Sequence, residues 1–227
     1  MRVLVTGWPG SRMSRKRGAM EKLIQGVKRF QTEIFQQKKT LFGQLAKYQH
    51  PRALFITCSD SRVDPCLLTQ TEPGELFILR NAGNIVPSYG MNVGSTTATI
   101  EYAVGVLEVK NIIVCGHTDC GVVKALLDPK QVERLPAVKA WLGQAETTRR
   151  IVEENYTHLQ GDALQVATTQ EHVRSQIEHL QTHPTVAARL RKGFMHLHGW
   201  VYSIATGDIW AYDTKRETFI SLDKMAA

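Results

Sequence analysis

Cys58, His117 and Cys120 are side chains of the kinds that hold a transition metal. Zinc favours thiolate and imidazole ligands in a tetrahedron, and a catalytic site supplies three protein ligands while leaving a fourth position for water or substrate. His117 and Cys120 are spaced H-x2-C between Gly116 and Gly121, where a strand-to-helix turn lets an i, i+3 pair converge on one ion. That spacing alone is a weak signal. Cys58 follows a different apolar run, so a shared ion would join distant parts of the chain.

Cys58-Ser59-Asp60-Ser61-Arg62 adds a carboxylate and a guanidinium. In an extended segment residues i, i+2 and i+4 project to one side, which would aim Cys58, Asp60 and Arg62 at the same site. A carboxylate there can ligate zinc or accept a hydrogen bond from a zinc-bound water, and Arg62 offers it a competing bidentate partner. Asp60 could then act as a gate. The alternative is a buried Asp–Arg pair that only stabilises a loop.

The elements that must position these groups follow from the pattern of apolar residues. Three short apolar runs, Arg52 to Thr57, Glu75 to Leu79 and Asn111 to Val114, read as buried strands, each ending in a polar cluster. Ser95 to Glu108 between the second and third reads as a crossover helix with Ser95 as N-cap. Strands alternating with helices imply an α/β fold with a mainly parallel central sheet, whose ligands gather outside the carboxyl ends of the strands. Further helices are expected at Val122 to Leu127, Val138 to Glu154 and Ala167 to Leu180. Pro184 then interrupts before Thr185 to Arg191, with Gly193 as a stop. Trp200 to Asp213 reads as a hairpin around Thr206-Gly207. One or two amphipathic helices are expected between Glu21 and Tyr48, with Leu23, Val27, Phe30 and Ile34 on one face.

Composition and charge exclude other classes. The 227 residues suit one domain, and 43% hydrophobic with 22% charged residues is ordinary for a globular chain. The net charge of +7 is lopsided, because Arg2, Arg12, Arg15, Lys16 and Arg17 fall in the first twenty residues and leave 23 basic against 21 acidic residues elsewhere. A nucleic-acid partner would want that excess on a folded face, so none is expected. We therefore read residues 1–19 as a disordered arm or an overlong gene start, and 20–227 as a single catalytic domain. No apolar run reaches the length that spans a bilayer, so no membrane partner is expected and a cytoplasmic location is. Cys66 and Cys115 read as incidental or buried thiols, and His196 and His198 as a strand-face pair outside the metal site.

Cys58-Ser-Asp-Ser-Arg62, Arg80-Asn-Ala-Gly-Asn84 and Cys115-Gly-His-Thr-Asp-Cys120-Gly together resemble the signature segments of beta-class carbonic anhydrases. Ile100-Glu-Tyr-Ala-Val104 and His198-Gly-Trp200 are also similar, closest to cyanobacterial and plant-type members, and the likeness runs from about Glu21 to Asp213. The resemblance implies one Zn2+ per chain on Cys58, His117 and Cys120, with Asp60 as fourth ligand of a closed form and Arg62 as its partner in the open form. It implies reversible hydration of carbon dioxide to bicarbonate and a proton by zinc-bound hydroxide. It also implies a homodimer or an assembly of dimers, with Tyr89 and Tyr102 lining the substrate pocket. Glu72 departs from a substrate-binding glutamine common in plant-type members, and no match to a bicarbonate-effector site is present. Two thiolates make zinc a weaker Lewis acid than three imidazoles would, so activity should rise toward alkaline pH. Alternatives that keep this fold are hydrolysis of carbonyl sulfide or carbon disulfide, and a noncatalytic assembly subunit; packaging in a carboxysome stays open.

Overall fold

The computed structural model describes residues 13–91 and 94–225. It divides after Gln49 into two units. In the first, an α-helix at Met13–Arg29 continues through one wide π-type turn at Phe30–Ile34 and a short segment at Phe35–Gln37, and a second helix covers Lys39–Leu45. Phe30, Phe35 and Phe42 pack ring against ring across the bend, with centroids 5.2 to 6.1 Å apart. The amphipathic stripe expected here is present, yet Leu23, Val27 and Phe30 are all exposed within one chain. Residues 1–12 of the basic arm lie outside the described residues, and the helix begins inside the arm at Met13.

The second unit is built on a six-stranded sheet in the order β2-β1-β3-β4-β5-β6. The strands are β1 (Ala53–Cys58), β2 (Leu76–Asn81), β3 (Asn111–His117), β4 (His196–Tyr202), β5 (Ile209–Asp213) and β6 (Thr218–Ser221). The first four are parallel, and β5 and β6 are antiparallel additions. All six residues of β1 are buried, as a central parallel strand covered on both faces requires. Leu54 and Ile56 of β1 join Ile112 and Val114 of β3 in a core with Ile100, Val104, Val173, Ile177 and Leu180. Phe55, Ile113 and Cys115 point the other way, where Phe55 meets the edge of Trp200.

The sequence places these elements correctly, with shifts that have local causes. The strands run one to three residues further than their apolar cores suggest, so Cys58 and His117 are the last strand residues rather than loop residues. Gly94, not Ser95, occupies the N-cap of the helix Ser95–Gly105. The helix expected at 138–154 is broken into Pro136–Leu142, a 3-10 turn at Gly143–Ala145 and Glu146–Asn155. The long helix begins at Gly161, earlier than its apolar stripe, and runs to Gln181. The hairpin near Gly207 forms, but β6 was not foreseen because it is a short edge strand. Among the described residues no helix is long and apolar enough to cross a membrane.

Two glycines set how closely the helix Gly161–Gln181 can lie on the sheet. A Cβ on Gly116 of β3 would sit 2.8 Å from Val173 Cγ2, and one on Gly199 of β4 would sit 2.7 Å from Ile177 Cδ1. Overpacking of this kind costs about 1–3 kcal/mol. Gly116→Ala should therefore lower unfolding free energy by about that amount in denaturant titrations. Combining it with Val173→Ala should recover part of the loss, since the second change vacates the clashing methyl.

Candidate metal centre

Cys58 ends β1 and His117 ends β3, which are neighbours paired at Thr57 and Cys115. The parallel register thus brings two residues 59 positions apart to one edge of the sheet. Asp119 adopts a left-handed backbone at φ 60° and turns the chain so that Cys120 stands at the N-cap of the helix Gly121–Leu127. The Sγ atoms of Cys58 and Cys120 and a ring nitrogen of His117 lie within 4.8 Å of one another, and all three residues are buried.

The protonation pattern of the trio suits a metal. His117 Nδ1 lies 2.9 Å from the Thr118 carbonyl, which can only accept, so Nδ1 carries the hydrogen and Nε2 presents a lone pair. Nε2 is buried and has no hydrogen-bond partner. An orphaned acceptor beside two thiols is costly unless something electrophilic occupies the space between them. Cys58 is held well below the ordinary thiol value, chiefly by a hydrogen bond from Cys120, with the backbone N–H of Gly83 also donating to its sulfur. Cys120 is pushed up by sharing with Cys58 and by burial. The pair keeps one proton between them until a cation replaces it. This donor set of two soft sulfurs and one imidazole fits zinc and leaves a fourth position open.

Asp60 and Arg62 are brought to the same place by a different geometry from the one expected. The chain does not stay extended past Cys58. It turns, with the Arg62 N–H donating to Asp60 Oδ1 at 2.9 Å and the Val63 N–H to the Asp60 carbonyl at 3.1 Å. The guanidinium then grips both carboxylate oxygens, Nε to Oδ1 at 3.0 Å and Nη2 to Oδ2 at 2.8 Å. This fork holds the Asp60 carboxyl far below the usual carboxylate range. Asp60 Oδ2 is 3.9 Å from His117 Nε2, at the mouth of the buried trio.

Several partners of the site were not legible as such. Arg62 Nη1 also donates to Asp119 Oδ2 at 2.7 Å, and Lys124 pairs with the same carboxylate. These two cations hold Asp119 down to about 2. Arg80 donates to the carbonyls of Cys58 and Asp60 at 3.1 and 2.7 Å and so braces the turn from outside. Trp141 Nε1 donates to the Ala82 carbonyl at 2.8 Å. His172, fully enclosed, bonds the Gly83 carbonyl at 2.7 Å. A side chain that acts through a backbone carbonyl leaves no spacing signal in a sequence.

The remaining candidates lie elsewhere within the chain. Tyr102 is half-exposed and packs on Phe77, whose register partner Leu54 is four residues before Cys58, about 13 Å back along the strand. Tyr89, also half-exposed, meets the His183 ring edge-on at 5.7 Å. Cys115 is buried, and burial pushes its thiol up to about 12. His196 and His198 sit at the start of β4 in an open groove of about 600 Å³, six and four residues from the Tyr202 that pairs with His117. They are separate from the metal site, and His198 Nε2 bonds Asn111 Oδ1 at 3.0 Å.

A family profile described as carbonic anhydrase matches residues 53–209. The chain belongs to the beta-carbonic anhydrase family. It is 47% identical over 203 residues to a carbonic anhydrase of Synechocystis sp., covering 89% of this chain and 74% of that one. It is 48% identical over 203 residues to a carbonic anhydrase of Pseudomonas aeruginosa, covering 89% and 92%. Among solved structures, the beta-carbonic anhydrase CcaA superposes with a TM-score of 0.88 at 47% identity, covering 89% of this chain and 99% of that chain. Tetrameric beta-carbonic anhydrases of Sordaria macrospora superpose at 0.69 with 28% identity, covering 96% and 100%.

The enclosed His172 gives the folded state a pH dependence of its own. Burial pushes its imidazole down from 6.5 to about 4. Between those values the unfolded chain binds the proton and the folded chain does not. Stability is then full above about pH 6.5 and falls by on the order of 3 kcal/mol as the pH drops toward 4. Denaturant unfolding at stepped pH should show this slope, and His172→Gln, which does not titrate, should flatten it.

Proposed function

We propose that this carbonic anhydrase is a zinc-dependent lyase that interconverts carbon dioxide with bicarbonate and a proton, with Cys58, His117 and Cys120 as the metal ligands. The observation that carries this is the buried, partnerless Nε2 of His117 beside two thiols, with the Arg62-held carboxylate of Asp60 3.9 Å away. When bound, zinc supplies Lewis acidity that lowers the pKa of water from 15.7 toward neutrality, though two thiolates temper the effect.

The rest is done by the chain. Arg62 keeps Asp60 ionised and turned aside, so that Oδ2 accepts a hydrogen bond from the attacking water and points its lone pair at the carbon of carbon dioxide. The bidentate fork fixes that orientation, which a single point charge would not. If Arg62 releases its grip, Asp60 is near enough to His117 Nε2 to take the open position and shut the site. Asp119 offers Arg62 a second carboxylate and makes that release easier than from a lone pair.

One chain does not cover all of its apolar surface. Leu23 and Val27 on the first helix are 63% and 57% exposed, and Tyr89 and Tyr102 are 49% and 45% exposed. Large uncovered apolar patches mark interaction surfaces. This supports a homodimer or an assembly of dimers in which Tyr89 and Tyr102 of neighbouring copies complete the substrate pocket.

Purified protein should contain about one zinc per chain and hydrate carbon dioxide faster as pH rises across about 6.5 to 9. Cys120→Ser should lose both. Zinc bound without hydration would overturn the substrate assignment, and hydration surviving in Cys120→Ser would overturn the ligand set. Arg62→Ala should keep the metal but lose on the order of 100-fold in kcat/KM, read by stopped-flow hydration. For the assembly, sedimentation should give a species heavier than the 25.5 kDa chain, and Leu23→Glu with Val27→Glu should reduce its size.

A further inference from the structure

The Gly83 N–H donates to the Cys58 sulfur at 3.3 Å. Gly83 has no freedom to choose this direction by itself. Its backbone is left-handed at φ +81°, and a Cβ there would run into Val122, so the position admits glycine alone. Neither peptide flanking it is left to solvent. The peptide that carries the donating N–H has its oxygen, on Ala82, held by Trp141 Nε1 at 2.8 Å. The next peptide has its oxygen, on Gly83, held by His172 Nε2 at 2.7 Å.

His172 is itself fixed by a one-way chain of donors. A carbonyl only accepts, so Nε2 carries the hydrogen and Nδ1 is a lone pair. Facing that lone pair are Thr148 Oγ1 at 3.3 Å and Gln176 Nε2 at 3.4 Å. Gln176 is oriented in turn by accepting the Val86 N–H on Oε1 at 2.8 Å. Thr148 and Gln176 are fully buried, and His172 is 1% exposed. Such a network has a single consistent assignment of hydrogens, which gives it stiffness as well as energy.

We infer that His172 and Trp141 are positioning residues for the metal centre: by clamping the two peptides on either side of Gly83 they fix the N–H···S bond that sets how strongly the Cys58 thiolate donates to the metal. This rests on the zinc reading above and deepens it. Neither side chain touches metal or substrate. They act through Gly83 as outer partners act through a ligand, where losses of 10- to 100-fold in affinity are usual.

Three variants and a control test this. His172→Gln can still reach the Gly83 carbonyl with an amide donor; His172→Asn is too short to do so. Trp141→Phe removes only the indole N–H. Val152→Ala shortens a buried apolar side chain, which can donate no hydrogen bond to the loop, in the otherwise largely exposed helix Glu146–Asn155. Each protein is loaded with cobalt(II), the thiolate-to-cobalt charge-transfer band is recorded, and zinc affinity is measured against a competing chelator. His172→Asn and Trp141→Phe should move the band to lower energy, because a thiolate that has lost its hydrogen bond is a stronger donor. Both should nonetheless weaken zinc binding, His172→Asn by about tenfold, because the unclamped loop no longer holds the sulfur in place and the Cys58 thiol is harder to deprotonate without its N–H donor. His172→Gln should restore the band and affinity of the parent, and Val152→Ala should lower Tm while leaving both unmoved. Unchanged band and affinity in both His172→Asn and Trp141→Phe would show that the two residues merely pack. Failure of the parent protein to take up cobalt or zinc would overturn the metal reading and this inference with it.

Discussion

The nitrogen Nε2 of His117 is buried with no hydrogen-bond partner, in a space shared with two thiols that cannot both ionise without a cation. An arrangement of that kind is unfavourable for the isolated chain and becomes favourable once a divalent ion enters. The surrounding structure is arranged to hold it in place. Parallel pairing of β1 with β3 puts Cys58 and His117 side by side, and the left-handed Asp119 bends Cys120 back toward them. The Thr118 carbonyl takes the other ring nitrogen and so leaves Nε2 as the one able to bind an ion.

Charge balance explains the outer layer. A divalent ion with two thiolates is neutral, so each carboxylate beside it needs its own cation. Asp60 has Arg62, and Asp119 shares Arg62 and Lys124. Arg62 is 43% exposed and Asp119 52%, so these outer pairs gain little stability from solvent-screened attraction. Their contribution is orientation. Five guanidinium hydrogens can serve two carboxylates at once, and a lysine at position 62 could not hold Asp60 by both oxygens while touching Asp119.

The parts of this arrangement that announce themselves in the sequence are those whose chemistry is carried by side-chain type. Cys58, His117, Cys120, Asp60 and Arg62 were recognisable because thiols, imidazole and a D-x-R pair are uncommon at strand ends. Alternation along an extended chain gave the right partnership for the wrong reason, since Asp60 meets Arg62 through a turn closed by its own carboxylate. Apolar runs located the strands but understated their length, because Cys58 and His117 do not look apolar and are nonetheless buried. The break at Gly143 and the short strand β6 depend on packing between elements, which no local pattern records. His172, Gln176 and Trp141 were hidden for a related reason: a contact with a backbone oxygen places no demand on the identity of the residue it touches.

The helix Gly161–Gln181 is where these threads meet. On one side its Val173 and Thr169 methyls lie against the bare backbone of Gly116, next to the candidate ligand His117. On the adjoining side His172, Gln176 and His179 take hold of the Gly83 carbonyl, the Val86 N–H and the Val86 carbonyl in the loop after β2 whose Gly83 N–H donates to the Cys58 sulfur. Residues 169, 172, 173, 176 and 179 share one broad face at the spacing of successive helical turns. The depth to which this helix settles on the sheet therefore fixes the height of the Gly83 loop over the strand ends. A side chain at Gly116 would press on Val173 and Thr169 and meet the loop only at Asn84 Oδ1, 3.9 Å away, so it would lift the helix and draw the loop away from the Cys58 sulfur. Packing at the glycines and hydrogen bonding at the thiolate are in this sense one mechanical constraint, and the candidate metal centre inherits its precision from how closely a helix can approach a sheet.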